Sequence, residues 1–400
     1  RRCEHEKVGR VKFVTCLSAQ KQILDIGQMA TRCSTTGKRG KWDKRLWTMS
    51  MKAIRTLLRD HSPLTYDEII DVRAPSEFAE DHVPGAISLP VLSDAERAKV
   101  GTIYVQQDPF LARKLGAALV AQNAAKHLQG PLSDRTGGWR PLVYCWRGGQ
   151  RSGSFASILD QIGWRVGLIE GGYKSYRRLV MKALYEEAVP HRLILIDGGT
   201  GTGKTRLLEQ LQQNGAQVLD LEAMAEHRGS LLGGYAGGQP AQKGFETRIA
   251  MALSRLDPAQ PVFVEAESNK IGRLIIPPML WKAMSGSDHL LITAPIEARA
   301  RFLTDAYHDV IDDPEALRER LGHLTRFHGA EAVEHWQQLA QAGSHRQLAR
   351  ELVELHYDPS YRRSSRRARA PLAEIALTGL NTADLQAAAA QIHEVVEQAA

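Results

Sequence analysis

Several features that would mark a specialised class of protein are scarce in this sequence. Four cysteines in 400 residues are too few for a disulfide scaffold, and they indicate a reducing compartment in which a thiol is free to react. Aromatic residues make up only 6%, and no apolar run approaches the roughly 18 residues of a membrane span. The hydrophobic fraction of 43% excludes wholesale disorder and collagen. We therefore expect a cytoplasmic protein without membrane contact, built from two or three domains.

The excess positive charge of the chain lies in its first 50 residues. The formal net charge is +7, and residues 1–50 alone hold 12 Lys or Arg against 4 Asp or Glu. Three of the four cysteines, Cys3, Cys16 and Cys33, lie in the same segment. Neither aromatic interleaving nor helical periodicity accompanies this charge. The pattern therefore favours a basic extension outside the fold over an RNA-binding arm.

From residue 51 onward, strand-like apolar runs alternate with helical periods. This alternation is typical of parallel sheets with crossover helices. Strands are predicted at 68–73, 86–89, 141–146, 165–172, 192–197, 216–221, 261–266 and 289–294. The sequence thus predicts two α/β domains, 51–187 and 188–400, and the second ends in an Ala-rich helix opened by Asn381 or Thr382.

Cys145 stands at the end of one predicted strand and is followed by a loop and a helix. A helix that begins after a tight loop points backbone N–H groups and partial positive charge at one spot. Arg147 and Arg151 add two full charges, while Gly148 and Gly149 let the loop curl. Because this setting favours the nucleophilic thiolate, we predict that Cys145 is catalytic rather than a structural cysteine.

The segment GGTGTGKT (198–205) fits the pattern G-x-x-x-x-G-K-[ST] between a strand and a helix, which is the context that this Walker loop requires. Its amides form an anion nest, Lys204 supplies a charge, and Thr205 is the residue that would hold Mg²⁺. A dinucleotide fingerprint fails, because its third glycine position falls on Lys204 or Arg206. The residues predicted to bind a di- or triphosphate are Gly198, Gly201, Gly203, Lys204 and Thr205.

Two further pairs of residues are candidates for the same site. Glu265 and Glu267 end a predicted strand, and they either orient a metal ion or a water molecule or simply face solvent. His227 and Arg228 lie next to glycine, where a substrate or phosphate contact competes with a structural role. No paired Cys/His spacing occurs, so no resident metal site is predicted.

The first domain resembles the rhodanese family of sulfurtransferases. The resemblance rests on DVRAPSEFAEDHVPGAISLP (71–90), CWRGGQRS (145–152) and EGGYKSYRR (170–178), in this order and spacing. It implies that Cys145 carries a chalcogen held by loop amides, with Ser152 in the supporting loop. It also implies that Asp71 and Arg73, the family's Asp-x-Arg pair, brace this loop. Trp146 stands directly after the cysteine, where this family commonly has an arginine. This departure argues against a preference for thiosulfate-type donors.

A rhodanese-like unit joined directly to a Walker-type unit is rare. From about residue 55 to 368 the chain resembles the bacterial tRNA 2-selenouridine synthases. The shared segments include ERAKVGTIYVQQ (96–107), LDLEAMAEHRGS (219–230), VEAESNKIG (264–272) and YDPSY (357–361). The resemblance implies two steps at the wobble uridine of tRNA. Geranyl diphosphate first S-geranylates 2-thiouridine, and selenophosphate then supplies selenium as the geranylthio group leaves.

These steps suggest roles for both loops. The Walker loop would hold the diphosphate of the geranyl donor, and the geranyl chain would lie against the apolar segment 271–281, unless this segment is plain core. Cys145 would handle selenium, either as a perselenide or by positioning the donor. No tightly bound cofactor is expected, and Mg²⁺ is optional.

The implied partners are tRNA and an enzyme that supplies selenophosphate, while the oligomeric state stays open. Phosphate contacts to tRNA are expected in segment 361–369. The predicted tRNA-binding residues are Arg362, Arg363, Arg366 and Arg367, and a solvated linker is the alternative.

Two other functions also remain open. One is an ATP-dependent rhodanese-type tRNA sulfurtransferase, although the chain lacks the SGGxDS pattern of such enzymes, and the other is a non-enzymatic RNA-binding module.

Overall fold

A computed structural model describes residues 47–49, 66–230, 232–364 and 370–399 of the chain. These residues all belong to one unit, Leu46–Ala400. Residues 1–46 of the predicted basic extension and residues 50–65 lie outside the described residues.

The first half of the fold is a parallel sheet with its crossover helices. Its strands are β1 (Trp47–Met49), β2 (Glu68–Asp71), β3 (Ala86–Ser88), β4 (Pro141–Tyr144) and β5 (Gly167–Ile169). Its helices are α1 (Pro75–Glu80), α2 (Asp94–Gln106), α3 (Pro109–Gln129), α4 (Gln150–Ile162) and α5 (Gly172–Met181), with a π-helical turn at Lys182–Glu186. Residues 94–129 form two helices, α2 and α3, because Asp108 caps the second one. The Asp108 side chain accepts a hydrogen bond from Leu111 N at 2.6 Å, and Pro109 occupies the first position of α3.

The order of the strands in this sheet is β1-β5-β4-β2-β3, and every pair is parallel. The chain runs outward from β2 to β3 and then returns to β4 and β5 on the other side. The order therefore reverses between β2 and β4. Open α/β sheets bind ligands outside the carboxyl ends of the strands at such a point, and Asp71 and Cys145 lie at these two strand ends.

Residues 47–49 correct the predicted start of the fold. The sequence placed them in the basic extension, but they form β1 and pair with β5 in the register Trp47↔Gly167 and Met49↔Ile169. A three-residue edge strand is too short to show a period of two in the sequence, so pattern alone does not reveal it.

The second half of the fold contains another parallel sheet. Its strands, with a small hairpin formed by β9 and β10, are β6 (Leu193–Asp197), β7 (Gln217–Leu219), β8 (Val262–Glu265), β9 (Lys270–Ile271), β10 (Leu274–Ile275), β11 (Asp288–Thr293) and β12 (Ala373–Ala376). The order of the five parallel strands is β12-β11-β6-β8-β7. β6 is central, so the loop after it lies at the point where the chain changes sides.

The helices of this half cover the sheet and then form a helical region after β11. They are α6 (Lys204–Gln213), α7 (Leu221–Ala225), α8 (Gln242–Arg255), α9 (Pro278–Gly286), α10 (Ile296–Ala306), α11 (His308–Ile311), α12 (Pro314–Gly322), α13 (Thr325–Gln341), α14 (His345–Leu352), α15 (Asp358–Ser364) and α16 (Thr382–Gln398), with a π-helical turn at Val353–Tyr357. None of the helices in the described part of the chain is long and apolar enough to cross a membrane.

The expected start of the last helix is confirmed. Asn381 caps α16, because its side chain accepts a hydrogen bond from Asp384 N at 3.0 Å while the Asp384 carboxylate accepts one from Asn381 N. Leu385, Ala388 and Ile392 then pack into the cluster on one face of the second sheet.

The two halves share one apolar cluster, which includes Tyr176 and Leu184 from the first half and Phe245 from the second. Polar contacts lie beside it. Tyr176 Oη donates a hydrogen bond to Thr247 Oγ1 at 3.0 Å, and Tyr185 Oη donates one to Glu246 Oε1 at 2.7 Å. The halves are therefore packed together, and the domain division near residue 187 stays a prediction.

Candidate active sites

Cys145 lies directly after β4 in the loop that leads into α4. The residue is buried, with only 3% of its surface exposed. Its Sγ accepts hydrogen bonds from Gly149 N at 3.3 Å and from Ser152 Oγ at 3.2 Å. The loop thus aims a backbone amide and a hydroxyl at the sulfur.

The segment that opens α5 supports the cysteine loop through close backbone contacts. Tyr173 N donates to Cys145 O at 2.9 Å, and Lys174 N donates to Trp146 O at 3.0 Å. Gly172 has φ +61°, and a Cβ atom there would collide with the Cys145 carbonyl oxygen. Gly148, at φ +65°, is likewise packed against Ile169 O. Both positions need glycine, because the two chain segments touch through their backbones.

Asp71 and Arg73 form a buried ion pair that braces this region. Arg73 Nη2 lies 2.6 Å from Asp71 Oδ2 and also donates to Asp81 O at 2.6 Å. The guanidinium stacks on the Tyr173 ring at 4.0 Å, and Tyr173 Oη donates to Asp81 Oδ2 at 2.7 Å. The pair is thus linked to the cysteine loop through Tyr173, whose backbone N–H donates to Cys145 O. The bracing role that the resemblance implied stays a prediction.

The two arginines of the loop differ in their surroundings. Arg151 Nη1 donates to Glu77 Oε2 at 2.8 Å, so its charge is offset by a carboxylate that the sequence analysis did not associate with the loop. Burial opposes ionisation of Glu77, but the hydrogen bond and charge of Arg151, with the Ala74 amide and Arg97, outweigh it and lower the pKa of Glu77. Arg147, two residues after Cys145, is exposed. It is thus a loop cation that solvent can reach.

The Walker loop connects β6 to α6. Gly198, Gly201 and Gly203 all have positive φ, and Gly203 directly precedes the helix that Lys204 opens. Lys204 Nζ donates to Gly198 O at 2.9 Å and so crosses the loop. The structure therefore brings together the five residues predicted to bind a diphosphate.

Two carboxylates lie beside this loop, and the sequence had singled out only one of them. Thr205 Oγ1 donates to Glu222 Oε2 at 3.0 Å. Burial, followed by the charge of neighbouring Glu267, raises the pKa of Glu222 to about 8, although Lys204 and Thr205 act in the opposite direction. Glu222 therefore keeps a proton at neutral pH, which lowers the negative charge beside the Walker loop.

Glu265 is fully buried, which excludes the solvent-facing alternative for this residue. Its Oε2 accepts a hydrogen bond from Leu221 N at 3.1 Å, so it fixes the start of α7. Burial, with the charges of Asp220 and Glu222, raises the pKa of Glu265 well above its usual value. In the described residues, no group of three or more His, Cys, Asp or Glu side chains is arranged to hold a metal ion.

His227 and Arg228 are both largely buried in this fold. Burial, followed by the charges of Arg228 and Arg320, lowers the pKa of His227. Arg228 Nη2 donates to Asp309 Oδ1 at 2.6 Å, and its guanidinium lies 4.2 Å from the Tyr235 ring centre. The buried atoms His227 Nδ1 and Arg228 Nη1 have no hydrogen-bond partner among the described residues, so a substrate or phosphate contact stays a prediction.

The arginine-rich segment begins beside the Walker loop. Tyr361 Oη donates to Asp197 Oδ1 at 3.0 Å, at the end of β6. Asp358 receives Arg299 at 2.6 Å, and Arg299 also donates to Thr200 O at 2.7 Å. Arg362 is exposed on α15 and Arg363 belongs to the same helix, whereas Arg366 and Arg367 lie outside the described residues. The backbone of α15 is thus anchored to the loop.

Segment 271–281 proves to be core. Ile271, Leu274, Ile276 and Leu280 are buried in the apolar cluster shared by the two halves. Ile275 is half exposed, but it is isolated on the hairpin surface. The expectation that a geranyl chain lies against this segment is therefore wrong, because these buried side chains are already covered by α8 and by the first half of the fold.

Comparisons with known proteins agree with this architecture. The family described as tRNA 2-selenouridine synthase AAA domain matches residues 191–327, and that described as Rhodanese-like domain matches 51–179. The tRNA 2-selenouridine synthase of Hahella chejuensis is 33% identical over 329 residues, covering 73% of this chain and 84% of that protein. That of Pseudomonas syringae pv. syringae is 32% identical over 330 residues, covering 73% and 87%. The chain belongs to the tRNA 2-selenouridine synthase family.

The coverage differs among relatives of this family. The synthase of Nitrosomonas europaea is 38% identical over 257 residues, and the match covers 63% of this chain and 66% of that protein. The match to the Nitrosomonas eutropha synthase covers 60% of that protein. The chain thus spans somewhat less than two thirds of the length of these two relatives.

Residue-level reasoning missed several side chains that shape the two sites. They are Glu77 and Tyr173 at the cysteine loop and Glu222, Arg299, Asp358 and Tyr361 at the Walker loop. Five of them lie in segments that carried the family resemblance, 71–90, 170–178, 219–230 and 357–361, and only Arg299 lies outside. The available signal was therefore the resemblance, whereas the local pattern around each residue gave none.

Proposed function

We propose that this protein converts 2-thiouridine at the wobble position of tRNA to 2-selenouridine through an S-geranyl-2-thiouridine intermediate, using geranyl diphosphate and selenophosphate. The observation that carries the proposal is that one chain of this family combines an intact thiol loop with an intact Walker loop. Cys145 is held by two donors in the first loop, and Lys204 and Thr205 complete the second.

The Walker loop serves the geranylation step. The sulfur of 2-thiouridine attacks C1 of the geranyl group, so a C–S bond forms while the C–O bond to diphosphate breaks, and the uridine N3 proton passes to solvent. Lys204 and the loop amides stabilise the diphosphate, which leaves with the electron pair. Thr205 and Glu222 are the residues that would hold a Mg²⁺ ion accompanying the diphosphate.

The cysteine loop serves the exchange of selenium for sulfur. A thiocarbonyl sulfur leaves poorly as sulfide, whereas the alkylated sulfur leaves as a thiol. Selenium from selenophosphate forms the C–Se bond, the C–S bond breaks, and water takes the phosphoryl group. Making a perselenide on Cys145 from selenophosphate would additionally require a two-electron oxidant. We therefore assign Cys145 to positioning the selenium donor, whose phosphate would meet exposed Arg147.

The substrate tRNA would be held through Arg362, Arg363, Arg366 and Arg367. The fixed position of α15 supports this assignment, because Tyr361 ties it to the strand that leads into the Walker loop. Phosphates bound by this segment would bring the tRNA to the loop that carries the alkyl donor. Selenophosphate must come from a separate enzyme, which is the proposed partner for supply.

Mass spectrometry of tRNA nucleosides tests the proposal. The purified protein is incubated with 2-thiouridine-containing tRNA, geranyl diphosphate and selenophosphate, and each donor is omitted in turn. We expect S-geranyl-2-thiouridine when selenophosphate is absent, 2-selenouridine when both donors are present, and unchanged 2-thiouridine without geranyl diphosphate.

The same experiment separates the alternative functions. An ATP-dependent sulfurtransferase would modify uridine only with ATP and a sulfur donor, whereas an RNA-binding module would retain tRNA without changing it. Formation of 2-selenouridine without any geranylated species would contradict the two-step route.

A further inference from the structure

A cavity of about 60 Å³ lies in the helical region, between α10 on one side and α14 on the other. Its wall includes Leu303 from α10, Tyr307 directly after it, and Leu348, Ala349 and Leu352 from α14. One water-sized group needs about 10–15 Å³ on the same measure, so the cavity accommodates roughly five such groups. This is about the size of one five-carbon isoprenyl unit, and the cavity is partly open to solvent.

The cavity adjoins the Walker loop through a single side chain. A Cβ atom placed on Gly201 would lie 2.9 Å from Leu303 Cγ, so Leu303 packs directly against the loop. Leu303 also lines the cavity. An anion held by the loop and an apolar group held in the cavity would therefore lie on two sides of the same leucine.

Two polar groups on the cavity wall, which also includes His345, are already bonded within the protein. Thr304 Oγ1 donates to Ala300 O in its own helix at 2.9 Å, and the Tyr307 hydroxyl pairs with Ser230 Oγ at 2.6 Å. A nucleobase in this cavity would lose its hydrogen bonds to water and gain few in return, which is costly. A hydrocarbon chain carries no such cost, and each CH₂ group that it buries is favourable.

We propose that this cavity binds the hydrocarbon chain of the prenyl diphosphate whose diphosphate the Walker loop holds, an inference that rests on the proposed function. The terminal isoprenyl unit lies between α10 and α14, and the part of the chain nearer the diphosphate lies against Leu303. The residues of α14 thereby set the chain length that the enzyme accepts.

Calorimetric titration of the full-length chain tests the proposal with geranyl diphosphate and with inorganic diphosphate, which lacks the chain. Ala349→Phe fills the cavity from its edge. We expect its Kd for geranyl diphosphate to rise roughly tenfold, the equivalent of about two buried CH₂ groups, while the Kd for inorganic diphosphate changes less than about twofold. Leu355→Phe is the matched control, because Leu355 is exposed and lies outside the cavity wall.

A variant with a larger cavity tests the proposal in the opposite direction. Leu348→Ala removes buried wall atoms, so we expect the preference to move from geranyl towards farnesyl diphosphate by roughly fivefold in the ratio of their Kd values. Unfolding midpoints of all variants, measured by circular dichroism, establish that each one is folded under the titration conditions.

The outcomes separate this proposal from the proposed function. If the wild-type chain geranylates tRNA but Ala349→Phe leaves its Kd for geranyl diphosphate unchanged, the cavity assignment is wrong and the function stands. A parallel loss of affinity for inorganic diphosphate, or an equal effect of Leu355→Phe, also overturns the assignment. If the wild-type chain binds both diphosphates equally and makes no geranylated tRNA, both proposals fail.

Discussion

The cysteine loop and the Walker loop have the same local design and different supports. Each follows a central parallel strand and leads into a helix at the point where its sheet changes direction. The cysteine loop has one glycine with positive φ, Gly148, and the Walker loop has three. The cysteine loop is supported mainly by backbone contacts, as Gly172 and Tyr173 show. The Walker loop is tied by side chains from distant helices, including Arg299 and Tyr361.

This difference concerns what each loop is able to hold. The buried thiol has one amide and one hydroxyl directed at it, with exposed Arg147 nearby, which suits a small anionic donor that arrives from solvent. The Walker loop has an apolar cavity on one side and the Glu222–Glu267 pair on the other. Under the proposed function, a glycine-rich loop would supply anion binding in both sites, while the neighbouring side chains would decide which anion is suitable.

The largest effect is expected from a substitution of Cys145, which should disable the step assigned to the cysteine loop and spare the step assigned to the Walker loop. Cys145→Ala removes one buried sulfur and should abolish 2-selenouridine formation, while S-geranyl-2-thiouridine accumulates in the tRNA. Nucleoside mass spectrometry provides the measurement, and Cys3→Ser/Cys16→Ser/Cys33→Ser is the control that should remain active. Full selenation by Cys145→Ala would remove this residue from the exchange step.

The reciprocal change is Lys204→Ala in the Walker loop. Loss of the ammonium group that faces the diphosphate should lower the geranylation rate by roughly 100-fold or more. Supplying tRNA that is already geranylated should restore selenation, because Cys145 belongs to the other loop. A variant that still geranylates but fails on pre-geranylated tRNA would reverse the proposed division of labour.

Gly172→Ala tests the backbone support of the cysteine loop. The new Cβ meets the Cys145 carbonyl oxygen in a left-handed conformation, so we expect the free energy of unfolding to fall by about 3 kcal/mol. Gly163→Ala is the matched control, since Gly163 also has positive φ but has open space around it, and about 1–2 kcal/mol is expected there. Urea denaturation measures both values, and equal losses would show that the close approach is unimportant.

The arginines of segment 361–369 should contribute a smaller, electrostatic effect. Replacing Arg362, Arg363, Arg366 and Arg367 by Ala should weaken tRNA binding about tenfold and flatten the slope of log K against log[salt] by roughly 3. Filter binding at several salt concentrations measures the slope. Replacement of the exposed cations Arg113 and Lys114 on α3 is the control, and an unchanged slope in the quadruple variant would favour a solvated linker.

The smallest expected effect is the pH dependence that Glu222 gives to the Walker loop. The pKa of Glu222 is about 8 in the folded chain against the ordinary 4.5, so the folded form keeps a proton that the unfolded form releases. The free energy of unfolding should therefore fall as pH rises from about 4.5 to about 8. Affinity for inorganic diphosphate should fall roughly fivefold as Glu222 ionises.

Glu222→Gln should flatten both profiles, because the amide does not titrate. Urea denaturation and calorimetric titration at pH 6 and at pH 9, without Mg²⁺, measure them. Glu226→Gln is the control, since Glu226 lies on the same segment but pairs with Arg248. Parallel profiles for the wild-type chain and Glu222→Gln would show that this carboxyl is ionised throughout.

The sequence by itself determined the features that are encoded in contiguous residues. The α/β class, the strands that flank Cys145 and Lys204, and the start of α16 at Asn381 all follow from local apolar runs, glycines and caps. The two loops were recognisable because a strand, a glycine-rich turn and a helix follow one another without interruption. The roles of their residues remain predictions.

Only the tertiary structure decided which distant side chains meet at the loops. Glu222 accepts a hydrogen bond from Thr205, and two ion pairs form, Asp358 with Arg299 and Glu77 with Arg151. It also showed that segment 271–281 is core and that an apolar cavity lies between α10 and α14. An apolar run has the same pattern whether it covers a neighbour or faces a cavity, because local periodicity reports which residues avoid water and not what they contact.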